Sequence, residues 1–403
     1  MKRALIIILT TFAFVACSKD DVVMEYRGEA IDFNASTGNI TRAEDDKSYT
    51  ENVPQFHVWG YYTNGATSAI KMNDVLVKKS GSSWSYDNIQ YWPKDGVIDF
   101  IAINPTATEV AAGQYKDHRT GQDLVAISHD GFATGANRKV TVTAKRKDAS
   151  MHYSPYLPDL IYSVTEDQSR QATAVQMHFR HAMTQVKCKV KNENEDFLLE
   201  FLPHCAVEIH NVKSKGTFTL PAYTTVIDST DDKTFGTWSV AADDFASFDI
   251  FTKENPKING FETLTGDPNR AGYIDTGYFM DTSKPSAMFI PCSVPEWDET
   301  KGAASAQNGA YFVVYCRVSY QMGTLNKRYY LLGDKDEANN IDRYDAIYAP
   351  VTIDWKPGYC YIYTFTFGQG IGYTEDGKPS VVPLSFSVEA TPYESPNPTD
   401  KYL

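Results

Sequence analysis

Ile31-Asp32-Phe33-Asn34-Ala35-Ser36 alternates apolar and polar residues. On a strand, where successive side chains point to opposite faces, Ile31, Phe33 and Ala35 therefore share one side. A strand with one buried face is expected here. It stands between two processing signals: upstream a basic and apolar leader ends at Cys17, and downstream Thr41-Arg42-Ala43 places an arginine in a polar, loop-like segment. Near the other end of the chain, Leu384-Ser385-Phe386-Ser387-Val388-Glu389-Ala390 repeats the pattern, with an aromatic in the second inward place. Two stretches of the same period can occupy the same place in turn. Cleavage after Arg42 would free the first, and the C-terminal stretch, with Leu384, Phe386, Val388 and Ala390 inward, would fill the groove left behind. The alternative is that this stretch is the last strand of its own domain, since Pro383 and Pro392 suit an edge strand as well as a detachable one.

A chain of 403 residues with 42% hydrophobic content can bury a substantial core, and its length suggests two domains more than one. The 26 Tyr and 21 Phe, with frequent Val and Thr, favour strands over helices. The net charge of -13 is spread along the chain, and no basic stretch is interleaved with aromatics, which argues against a nucleic-acid partner. The acidity suits an exported protein that must stay soluble.

The leader begins with Lys2 and Arg3 and continues with a mostly apolar run, Ala4 to Val15, too short to span a membrane. Ala16-Cys17 then resembles a bacterial lipobox, so lipidation is expected at Cys17 although Phe14 stands where Leu is more typical. Two or more acyl chains anchor far more firmly than one. Cys188, Cys205, Cys292, Cys316 and Cys360 remain, an odd number in an exported chain, so at least one is free or pairs between chains. All but Cys205 lie in apolar, strand-like surroundings and are expected as buried thiols.

Strands are expected over Gln55 to Tyr62, Val75 to Lys79, Trp84 to Tyr86, Val97 to Ile103, Leu124 to Ile127, Val140 to Ala144 and Leu160 to Val164, separated by Gly- and Asn-containing turns. Val97 to Ile103 is apolar on both faces, as a central strand would be. A polar run, Thr165 to Arg170, places the domain boundary between residues 169 and 170. The chain then divides into a leader (1–17), a removable segment (18–42), an N-terminal sandwich (43–169) and a C-terminal sandwich (170–403). No helical stripe reaches three turns.

Chemistry is sparse. His178 and His181 are three apart, which on a strand puts them on opposite faces, and His204, Cys205 and His210 form no recognised metal motif. Nucleophile elbows, phosphate-binding loops and paired zinc ligands are absent. Asp334-Lys335-Asp336-Glu337 lacks the spacing of a calcium loop and reads as a solvated turn. No catalytic residue, metal ion or cofactor is expected. The aromatics of Trp59-Gly60-Tyr61-Tyr62 and Tyr359 to Tyr363 read as core, with sugar stacking as the alternative.

Val175-Gln176-Met177-His178-Phe179-Arg180-His181-Ala182-Met183-Thr184-Gln185-Val186 resembles the stretch that opens the second domain in the fimbrillin-like proteins of Bacteroidales. Similar pieces lie in the same order around it: the lipobox, Thr41-Arg42-Ala43, Tyr91-Trp92-Pro93, Phe289-Ile290-Pro291, and Trp355-Lys356-Pro357-Gly358-Tyr359. Ser18-Lys19-Asp20-Asp21 resembles the acidic tag that sends some lipoproteins of this group to the cell surface. The resemblance implies an all-β fold of two tandem transthyretin-like β-sandwich domains and a subunit of a type V pilus, or fimbria. It also implies an outer-membrane lipid anchor before maturation, an arginine-specific protease that cuts between Arg42 and Ala43, and other pilus subunits as partners through strand insertion. A host or bacterial surface ligand is left open. The competing reading is a non-polymerising surface lipoprotein that binds glycan through exposed aromatics.

Overall fold

The computed structural model describes residues 28–37, 55–111, 122–132, 138–146, 153, 157–194, 196–224, 236–250, 257–259, 273–274, 287–305, 308–321 and 328–392. Cys17, Arg42 and Ala43 lie outside the described residues. Strands dominate the described residues, which hold one short α-helix, α1 (Ala107–Ala111), and a 3-10 turn at Glu299–Lys301. The first half holds β1 (Phe33–Thr37), β2 (Gln55–Asn64), β3 (Thr67–Ser80), β4 (Ser83–Ser85), β5 (Val97–Asn104), β6 (Val125–His129), β7 (Lys139–Ala144), β8 (Ile161–Gln168) and β9 (Val175–His181). It is followed by β10 (Thr184–Asn192), β11 (Phe197–Phe201), β12 (Val207–Val212), β13 (Lys215–Thr219), β14 (Thr237–Val240), β15 (Ala246–Ile250), β16 (Lys257–Asn259), β17 (Tyr273–Ile274), β18 (Ala287–Phe289) and β19 (Ser293–Val294). The last part holds β20 (Tyr311–Gln321), β21 (Arg328–Leu332), β22 (Asp334–Asp336), β23 (Ile341–Arg343), β24 (Asp345–Pro350), β25 (Ile353–Asp354), β26 (Tyr359–Phe367) and β27 (Leu384–Pro392).

Seven strands form the first sheet, in the order β1-β9-β8-β5-β2-β3-β4. Its centre is β5, where Ile98, Phe100 and Ala102 face one side, Ile101 and Ile103 face the other, and all are fully buried. A strand apolar on both faces needs cover on both. One face packs a smaller core around Ile31, Phe33, Phe56, Val58, Met177 and Phe179. The opposite face belongs to a larger core that runs from Trp59 and Ile103 through Phe218 and Phe289 to Phe365 and Leu384. That larger core lies among a four-stranded sheet (β14-β13-β7-β6), a sheet with β17-β10-β26-β27 and β18, and another with β15-β12-β20-β11-β16, β21 and β24. The all-β reading of the sequence is the fold observed.

Strand pairings cross the boundary expected between residues 169 and 170. Beyond it, β9 pairs with both β8 and β1 inside the first sheet. Likewise β13 pairs with β7 over Lys215↔Thr143 to Thr219↔Lys139, so strands from both sides share one sheet. Thr165 to Arg170 is the end of β8 and its turn into β9, where Asp167 takes a left-handed φ of 55° and its N–H donates to Asp99 Oδ1. A solvated turn has the same polar composition as a linker, which is why the two read alike. The chain changes sheets at Ala182-Met183, which are fully buried and carry no polar signal.

Cys188, Cys292, Cys316 and Cys360 are buried and Cys205 is half-buried, none of them in a disulfide. Of the acidic run, Asp334 to Asp336 form the half-buried strand β22, paired with β23, and only Glu337 lies in the turn between them, where Asp336 Oδ1 accepts the backbone N–H of Ala338 and Asn339 at 3.1 and 3.2 Å.

Candidate functional site

The first sheet ends at β1, and its edge is a strand-shaped slot. Every other pairing in that sheet is antiparallel, but β1 joins β9 in parallel, with Phe33 opposite Val175 and Thr37 opposite Phe179. The next strand in the chain, β2, lies across β9, β8 and β5 from it. No hairpin therefore ties β1 to its neighbour, and a cut anywhere between Thr37 and Gln55 leaves it held by non-covalent contacts alone.

Those contacts come from both flanks. Val175 N donates to Asp32 O at 2.7 Å on one side, while Ile31 N donates to Gln90 O at 2.8 Å and Trp92 N to Glu29 O at 2.9 Å on the other. Tyr86 OH reaches Ile31 O at 2.7 Å. The floor is aromatic: the Phe33 ring packs at 5.3 Å on Phe100, 5.8 Å on Tyr86 and 6.1 Å on Phe56, with edge-on or tilted geometry. Ile31 and Phe33 are 0% and 4% exposed, and Ala35 is half-buried. The alternation read from the sequence thus brings these residues together on one face. Trp92 walls the slot, buried, and its Nε1 has no hydrogen-bond partner among the described residues. Sequence reasoning missed Tyr86, Gln90 and Trp92 as slot walls, because their contact with β1 spans more than fifty residues of chain and leaves no local pattern.

The C-terminal residues Leu384, Phe386, Val388 and Ala390 lie elsewhere. β27 is the edge of its own sheet, antiparallel to β26 from Phe367↔Leu384 to Tyr359↔Pro392. Along it the burial fades. Leu384 is 2% exposed, Phe386 is half-buried against Tyr363, Phe365 and Phe312, and Val388 is 52% exposed. Ala390 is exposed as well. The strand's first half is committed to its own core, whereas its second half presents an apolar face to solvent.

The remaining candidates are structural. His181 Nδ1 lies 2.7 Å from Asp159 Oδ2 with both side chains buried, and His178 stands on β9 opposite Ser36. Of the aromatics considered for sugar stacking, Trp59 and Tyr363 are about 1% exposed and Tyr361 is 8% exposed, all in the core, while Tyr61, Tyr62 and Tyr359 are half-buried and pack against it.

Acid should lower the stability of the fold. Burial, followed by the Arg180 charge, pushes the His178 ring below the ordinary histidine range. Burial does the same to His129, outweighing the opposing charges of Asp74 and Asp130. Neutral in the fold, these rings take up protons in the unfolded chain near about pH 6.5. Below that pH the unfolded state binds more protons, and stability falls as pH falls. Burial works against ionisation of Glu109, but hydrogen bonds from Thr106 and His57 prevail and hold its carboxyl below the usual range. Its contribution is therefore present above the ordinary carboxylate pKa and is lost on further acidification. The expected result is a urea midpoint that is flat above about pH 7 and declines steadily from about 6.5 to 4; His129→Gln should flatten the upper part of that decline.

A model of the fimbrillin-like family matches residues 41–255. The chain belongs to the fimbrillin-like family. A fimbrial protein from Bacteroides vulgatus shares its fold at a TM-score of 0.52 and 15% identity, covering 90% of this chain and 99% of its own. The fimbrial anchor protein Mfa2 from Porphyromonas gingivalis aligns over 91% of this chain and 99% of its own at 11% identity, with a TM-score of 0.30. No curated protein matches the chain. In this fimbrillin-like protein the matched segment begins just before Arg42 and ends just after β15. It leaves β1 outside.

Proposed function

We propose that this fimbrillin-like protein is a structural or adhesive subunit of a cell-surface pilus, exported as a lipoprotein acylated at Cys17 and matured by an arginine-specific cut between Arg42 and Ala43. Maturation removes Ile31, Phe33 and Ala35 from the slot, and the C-terminal strand of another subunit, carrying Leu384, Phe386, Val388 and Ala390, takes their place by β-augmentation. The observation that carries this reading is the slot itself, an aromatic-floored groove with backbone partners on both flanks, filled by a strand that the rest of the chain does not need as a covalent neighbour. An emptied slot of this kind is an unpaired edge, a template for another strand.

The energetics are compatible. Burying the three large side chains of the incoming strand contributes roughly 4 to 9 kcal/mol before ordering costs. Part of that is offset, because Leu384 and Phe386 leave contacts in their own sheet, while Val388 gains burial it lacks at home. Ladder hydrogen bonds add about 0.5 to 1.5 kcal/mol each. Mass spectrometry of protein shed from the cell surface tests the maturation steps. The expected N-terminus is Ala43, and the Cys17→Ser variant should keep its leader and carry no lipid. A surface form that starts elsewhere, or a wild-type precursor without lipid, overturns them.

A further inference from the structure

On the outer face of β12 and β15, away from the slot, three ligand-type side chains converge. The sulfur of Cys205 and carboxylate oxygens of Glu208 and Asp249 all lie within 4.8 Å of one another, the one such group among the described residues. The placement has a backbone cause. Glu208 and Asp249 are direct cross-strand partners, so both project from the same face. Ala206 and Val207 are consecutive core residues, each 0% exposed, and this break in the strand's period lets Cys205 side with Glu208 instead of alternating away from it. A left-handed turn at His204, φ 66°, precedes it.

Two features make this more than a meeting of acids. Carboxylates directly opposed across a ladder repel one another, and here Glu208 is buried, with its side chain 11% exposed. Its Oε2 is fixed from outside the cluster by His210 Nε2 at 2.9 Å and by the Tyr315 hydroxyl at 3.1 Å. His210 is in turn locked by Ser247 Oγ at 2.9 Å from Nδ1 and by stacking on Tyr311 at 4.7 Å. An oriented carboxylate with a histidine and a tyrosine behind it is the outer shell that metal sites use to hold a ligand. The thiol supplies the selectivity. Sulfur disfavours magnesium and calcium, the two carboxylates disfavour monovalent copper, and one sulfur with two oxygens and a remaining position for water suits a zinc-class divalent ion.

We propose that Cys205, Glu208 and Asp249 bind one zinc-class divalent cation, with His210 and Tyr315 as positioning residues for Glu208. Ligand atoms on a single zinc ion stand roughly 3 to 4 Å apart, so closing this cluster takes a movement of about an ångström. A bound cation favours the thiolate of Cys205 over the thiol. The sulfur–metal bond forms as the S–H bond breaks, and one proton leaves to solvent for each ion bound.

Cobalt(II) is the probe, because a thiolate ligand gives it a near-ultraviolet charge-transfer band. The full chain, titrated at neutral pH, should develop that band with one equivalent, release one proton per ion in weak buffer, and lose the band to one equivalent of zinc. Cys205→Ser should abolish it and Asp249→Asn should weaken binding at least tenfold. His210→Gln or Tyr315→Phe should weaken binding by about 10- to 100-fold while the band's position persists. Cys292→Ser, at a buried thiol elsewhere, should change nothing. The proposal is overturned if the wild-type chain shows no thiolate band, a result that needs no variant to fold, or if the band survives Cys205→Ser. Pilus assembly is a separate readout, so loss of metal binding leaves the strand-exchange reading untouched.

Discussion

Phe33→Ala should cost the uncleaved chain about 3 to 5 kcal/mol of folding free energy, the range for truncating a fully buried phenylalanine, and should cost the chain cleaved after Arg42 nothing. The first half of this result follows from packing. Phe33 is 4% exposed and touches three aromatic rings, so alanine leaves a cavity that the parallel β1–β9 edge can close only by shifting the whole strand. The second half follows from topology. Once the segment between β1 and β2 is cut and β1 departs, position 33 is no longer part of the protein. Urea unfolding of both forms, compared at equal slope, measures the difference. If the cleaved protein still responds to Phe33→Ala, β1 has stayed in its slot and maturation does not empty it. A synthetic peptide spanning residues 28–37 should also rebind the emptied form, and the same peptide with Phe33→Ala should bind at least 100-fold more weakly, since about 3 kcal/mol is about two decades of affinity.

How legible this was depended on the range of each interaction. Periodicity is local, and it located β1, β5 and β27 and the inward sets Ile31, Phe33 and Ala35 correctly, because a strand's burial pattern is set by its own pleat. Pairing is not local. Nothing in Val175 to His181 announces that it joins the first sheet between β1 and β8, and a polar turn such as Thr165 to Arg170 has the composition of a linker. The slot's walls escaped for the same reason: Tyr86 read as the end of a short strand and Trp92 as part of the Tyr91-Trp92-Pro93 piece, while their contacts to Ile31 O and Glu29 O lie far off in the chain. The metal-ligand cluster shows a third kind of blindness. Sequence reading weighed His204, Cys205 and His210 by spacing, whereas the structure groups Cys205 with Glu208 and a carboxylate forty residues on, and gives His210 the supporting place.

Val388→Asp should leave the monomer's stability within about 0.5 kcal/mol of wild type, as exposed substitutions do, yet lower incorporation into filaments at least 100-fold. In its own sheet Val388 is 52% exposed, so a carboxylate there stays solvated and loses little. In a neighbour's slot it would follow Phe386 by two positions, as Ala35 follows Phe33, and would enter the half-buried space between Met177 and the rim. An unpaired charge moved out of water there costs several kcal/mol, more than the ladder bonds of that half-strand return. Ser387→Asp is the control on the same strand: it is exposed at home and points outward in the slot, so filaments should form as before. Leu384→Ala is the converse control, because Leu384 is 2% exposed and its truncation should cost the monomer about 2 to 5 kcal/mol whether or not the strand is donated. The informative comparison is therefore between Val388→Asp and Ser387→Asp in a monomer equally stable in both. Should the two variants assemble alike, β27 serves only as the closing edge of its own sheet, and the strand that fills the emptied slot must be sought in another subunit.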